Sequence, residues 1–180
     1  RPGAKSGMTP GPLSDLPPHD PATCAFSCTD GTKAGSLRNL VDHQPLGEFL
    51  VEGTVWRAYK QLAPIDARGH FIIVPDVYSQ DQIREQKVIA KDMHDMSVLA
   101  QNSSNLMISF NARRGGASVN HIHFQGIYRP DPFPVENAGT TAVYASEDIR
   151  VYRLNDDYPA KGLVFESDDP HARSSQVWEI

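Results

Sequence analysis

Apolar positions along the chain fall mainly into short runs, interrupted once by a stretch with helical spacing. "TVWRAYKQLAP", from Thr54, reads as a strand leading to a turn at Pro64. "GHFIIVP" is a short apolar run bounded by Gly69 and Pro75, the pattern of a buried strand. The helical stretch comes next. Ser79 with Gln82 three residues later forms a capping-box pattern that would satisfy free backbone donors at a helix start. Ile89, Met93, Met96 and Ala100 then recur at helical spacing, and "QNSSN" ends the element. The methionines read as a core stripe and not as ligands, and His94, off that stripe, as solvent-facing. "NLMISFN" is the next strand, "SVNHIHFQGIY" another, and "IRVYRL" and "GLVFE" follow towards the end. Strands, one long helix, then strands again, with short connections, predict an α+β fold: a mainly antiparallel sheet with the helix packed on one face.

Composition adds bounds to this outline. A chain of 180 residues suits one domain large enough to bury a core, and 39% hydrophobic with 22% charged residues is ordinary for a globular protein. Residues 1–22, "RPGAKSGMTPGPLSDLPPHDP" and the next alanine, are rich in proline and glycine, and read as a flexible or wrapping arm. Residues 23–180 are then the single domain. A net charge of −5 argues against a nucleic-acid partner, which calls for a clustered basic excess. No apolar run approaches the ~18–20 residues of a membrane span, and the start carries no signal-peptide pattern. With Cys24 and Cys28 the only cysteines, a disulfide framework is not expected and a cytoplasmic location is. The pair lies between His19 and His43, so a zinc site there stands as the weaker alternative to two reduced thiols.

Candidate chemistry concentrates in "SVNHIHFQGIY", residues 118–128. Side chains on a strand alternate between faces, so Val119, His121, His123, Gln125 and Ile127 share one side. Asn120, Ile122, Phe124 and Tyr128 share the other, whose apolar character suits packing against the helix. Two imidazoles and an amide on one face admit three readings. They are satisfied histidines on a half-exposed sheet, a metal site using His121 and His123, or nucleophilic catalysis on phosphorus. The metal reading finds no third histidine or carboxylate close by in sequence. The flanking residues favour catalysis. Gly115 and Gly116 let backbone approach a ligand, Ser118 donates to a phosphate oxygen, and Arg113 and Arg114 are cations of the kind a phosphate prefers.

"GHFIIVP", a helix, a strand ending in "FN" and then "GASVNHIHFQ" resemble the histidine triad superfamily. The main branch has three histidines at alternate positions; Gln125 in the third place makes this chain similar to the nucleotidyltransferase branch. "FNARRGGASVNHIHFQGIY", "PFPVENA" and "DYPAKGLVFES" further resemble segments of GDP-L-galactose and GDP-D-glucose phosphorylases, over about Pro64 to Ser167. The resemblance implies that His123 is the nucleophile on an NDP-sugar, with His121 and Gln125 as its catalytic neighbours. Asn111, Gly116 and Ser118 take phosphate- or nucleotide-contacting positions. It also implies inorganic phosphate as second substrate, no required cofactor, and a homodimer.

Overall fold

The computed structural model describes residues 19–20, 24, 26, 44–61, 64–75, 84–113 and 115–179. Within them the apolar runs build two antiparallel sheets. The first holds β1 (Gly47–Val51), β2 (Thr54–Lys60), β3 (His70–Pro75), β4 (Leu106–Ser109) and β5 (Phe124–Tyr128), in the order β1-β2-β3-β5-β4. The second holds β6 (Thr140–Ala145), β7 (Arg150–Leu154) and β8 (Leu163–Glu166), in that order. The α+β class with mainly antiparallel pairing holds.

Alternation explains why β3 reads as a continuous apolar run. Ile73 points to one face, into a core of Val51, Trp56, Met96, Leu99, Ile122 and Phe124. Ile72 and Val74 point to the other, into a cluster with Cys24, Phe26, Tyr59 and Val119. Both faces are covered, so no polar residue interrupts the strand. Gly126 on β5 stands opposite Phe71 on β3, and a Cβ there would come within 2.3 Å of the Phe71 ring. Glycine is what lets that ring lie across the strand.

Helix α1 (Ala90–Gln101) packs on the first of these faces. It starts later than the Ser79–Gln82 pattern predicts; Ser79 and Gln82 themselves lie outside the described residues. The observed start has its own device. Ile89 is extended, with φ −123, and its N–H donates to the Asp92 carboxylate at 2.9 Å, the return half of a capping box. Arg84 pairs with the other Asp92 oxygen. The buried face of α1 is also more polar than its spacing suggests. Met96 and Leu99 reach the core, whereas Ile89 is exposed. Asp95 is fully buried and accepts from Trp56 Nε1 at 2.8 Å and from Lys91 Nζ at 2.9 Å, which compensates its burial.

His94 corrects the expectation of a solvent-facing side chain: it is buried. The cause is a second helix that sequence periodicity does not reveal, α2 (Pro170–Glu179), which lays His171 over His94. β1 and β6 were likewise not predicted; every residue of β6 is exposed, so no apolar alternation marks it. Among the described residues no helix is long and apolar enough to cross a membrane.

Candidate active site

The β5 ladder begins at Phe124, so His121 and His123 precede the paired strand that "SVNHIHFQGIY" was expected to form throughout. The alternation nevertheless persists. Val119 joins the Cys24–Phe26 cluster, and Ile122 and Phe124 join the core under α1. Residues 119–121 form a bend, and the segment before α1 holds 120–123 in place. Ile122 N–H donates to the Arg84 carbonyl at 2.9 Å. Gln86 N–H donates to Asn120 Oδ1 at 3.0 Å. The Gln86 side chain accepts from His123 N–H at 2.8 Å and donates to the carbonyls of His123 at 3.1 Å and Asn111 at 2.8 Å. Gln86, 2% exposed, thus does for His123 what the peptide of a neighbouring strand would do.

His123 Nδ1 lies 2.7 Å from the His121 carbonyl. A carbonyl only accepts, so Nδ1 carries the proton and the lone pair is on Nε2. Burial pushes the His123 pKa below the usual histidine value, against the upward pull of that carbonyl bond, and the ring stays neutral. His121 is fully buried, with Nδ1 3.4 Å from Cys24 Sγ. The Phe26 ring meets both histidines edge-on, its centroid 5.3 Å from His121 and 5.4 Å from His123.

Gln125 is held from β3. Its Oε1 lies 2.7 Å from His70 Nε2 and accepts from Gln61 Nε2 at 3.2 Å. His70 Nδ1 accepts the Ile65 N–H at 2.9 Å, so its proton sits on Nε2 and is donated to Gln125. With the amide oxygen taken twice, the capacity left to Gln125 is its NH₂ donor.

The remaining predicted residues lie on the loop leading in. Gly116, at φ +113, has a conformation that L side chains rarely adopt, in a turn closed by Gly115 and Ala117 N–H groups on the Ala112 carbonyl. Gly116 and Ser118 are exposed, and Asn111 is tied to His123 through Gln86. Arg113 contacts Glu85 at 3.2 Å, so its charge is already partly balanced. Arg114 and Cys28 lie outside the described residues. Among the described residues, Cys24 has His121 and His19 beside it. The ligand atoms of His19, Cys24 and His121 lie within 4.8 Å of one another, a nitrogen–sulfur set that suits zinc and pairs His121 with Cys24 and His19 and not with His123. His70, Gln61, Gln86 and Phe26 escaped sequence reasoning. Only His70 left a trace, as the polar opening of an apolar run.

The chain is similar to two proteins of Arabidopsis thaliana. To GDP-L-galactose phosphorylase 1 it is 30% identical over 107 residues, covering 58% of this chain and 23% of the relative. To GDP-L-galactose phosphorylase 2 it is 26% identical over 108 residues, covering 58% of this chain and 24% of the relative. The chain thus spans about a quarter of the length of these curated relatives. No protein-family model and no solved structure matches it.

Proposed function

We propose that the chain catalyses nucleotidyl transfer from a sugar nucleotide to inorganic phosphate, through a covalent intermediate on His123. The observation that carries this reading is the 2.7 Å bond from His123 Nδ1–H to the His121 carbonyl, combined with the burial that keeps the ring neutral. Together they leave Nε2 as a nitrogen nucleophile. Nε2 attacks the nucleotide-side phosphorus, the N–P bond forms, and the P–O bond to hexose 1-phosphate breaks. The imidazole becomes cationic as it is phosphorylated, and the His121 carbonyl dipole favours that charge. A phosphate oxygen then attacks the same phosphorus, the N–P bond breaks, NDP leaves and His123 is restored. Gln125 donates N–H to a phosphate oxygen. It has no proton to give up, and hexose 1-phosphate leaves through a low-pKa oxygen that needs none.

The similarity to GDP-L-galactose phosphorylases supports a guanine sugar nucleotide as the first substrate to try. No cofactor takes part in either transfer step. His19, Cys24 and His121 are the residues that would hold zinc, whose part would be to anchor the Cys24 segment against the row.

The test is incubation with GDP-hexose, with and without inorganic phosphate, assayed for GDP and hexose 1-phosphate. Phosphate-dependent formation of both is expected, and His123→Ala should abolish it while leaving the circular dichroism spectrum unchanged. GMP formed without phosphate would replace the reading with hydrolysis, and turnover surviving in His123→Ala would exclude the covalent route.

A further inference from the structure

Three side chains from separate elements meet on the α1 side of the first sheet. They are Glu52 in the turn between β1 and β2, His94 on α1 and His171 on α2. Glu52 Oε1 lies 3.2 Å from His94 Nε2 and 3.6 Å from His171 Nε2, and the donor atoms of all three fall within 4.8 Å of one another. Nitrogen and oxygen ligands at zinc bond lengths stand about 3.4 Å apart around a tetrahedral ion, so this spacing fits one ion among them. His94 is buried; its Nε2 has the Glu52 contact but no hydrogen bond of good geometry, and its Nδ1 has no hydrogen-bond partner among the described residues. A buried nitrogen left so is costly unless something takes its lone pair.

The two imidazoles lie stacked, centroids 3.9 Å apart and 25° from parallel. His171 is 69% exposed on its side chain and can swing its lone pair to face the ion.

We infer that Glu52, His94 and His171 bind a divalent first-row transition ion, zinc foremost, with the fourth position left to water. The ion ties α2 and the β1–β2 turn to α1. The site stands apart from the histidine row, which faces the Cys24–Phe26 cluster across the sheet.

The experiment uses the full chain, stripped with chelator, in a Cys24→Ser, Cys28→Ser background that silences the thiol-containing set near His121. Zinc is titrated calorimetrically and melting is followed in parallel. One equivalent should bind and raise the melting temperature. His171→Ala and Glu52→Gln, both at exposed positions, should each weaken binding beyond the ~10–100-fold that loss of an outer partner costs. His19→Ala should leave it unchanged. Absence of binding in the background protein, or an affinity in both variants unchanged from that background, would overturn the site. Cobalt in the wild-type chain gives an independent reading. A thiolate site adds a sulfur-to-metal charge-transfer band, whereas a His–His–Glu site binds without one, and that thiolate-free component should vanish in His171→Ala; its persistence there would also overturn the site.

Discussion

Gln125 has no freedom to choose which end of its amide faces outward, because His70 and Gln61 both occupy its oxygen. Replacing His70 with Ala removes the shorter of these bonds and lets the amide turn. Since a hydrogen bond contributes about 0.5–1.5 kcal/mol net, kcat for the proposed transfer should fall about 2–10-fold. Steady-state kinetics beside a circular dichroism control would check this, and an unchanged kcat would mean that the Gln125 donor plays no part. His123 makes a second prediction at the same scale. As the proposed nucleophile it would react only when neutral, and burial holds its pKa below the ordinary value near 6.5. The acid limb of kcat/KM should therefore lie below pH ~6.5. A limb at or above that value would assign the essential base to another group.

Elements meet the site through the segment between β3 and α1. Residues 84–86 run beside 120–123 without forming a regular ladder, and Gln86 supplies through its side chain the donors and acceptor that a strand would supply through its backbone. Gln86→Leu keeps the volume and removes every side-chain bond. The buried N–H and C=O of His123 and the Asn111 carbonyl then lose partners, with an expected cost of about 1–3 kcal/mol for each group left unpaired. Urea unfolding should show this as a lower midpoint with the slope retained. A midpoint equal to wild type would mean that residues 120–123 are held by strand packing alone. The same segment explains why α1 begins at Ala90: a helix continued backwards through Gln86 would withdraw these groups from His123.

For the whole molecule, the buried neutral His123 links stability to pH. In the unfolded chain it takes up a proton near pH 6.5, and in the folded chain only at lower pH. Between the two values the unfolded state binds more protons, so stability falls as pH drops. The contribution is fully present above pH ~6.5 and is lost below it by up to about 1.4 kcal/mol per pH unit, until the folded histidine also protonates. Unfolding measured at pH 7.5 and 5.5 in wild type and His123→Gln should show a smaller acid loss in the variant. Equal losses would place the acid sensitivity elsewhere.

Side-chain period is a local property, and what depends on it alone was readable from the sequence. The runs around Trp56, Ile72, Ile108, Ile127, Val151 and Val164 mark six of the eight strands among the described residues. Alternation from Val119 to Gln125 placed His121, His123 and Gln125 on one face, and contacts of the two histidines with the Cys24–Phe26 side keep them there although residues 119–121 bend and the ladder begins only at Phe124. Partners distant in sequence carry no such signature. His121 meets Cys24 across 97 residues, Gln125 meets His70 across 55, and Gln86 meets His123 across 37. The burial of His94 under α2 and the pairing of Arg113 with Glu85 belong to the same class. Residue type in these cases states only what bonds a side chain can make, and the packing of elements decides which of them form.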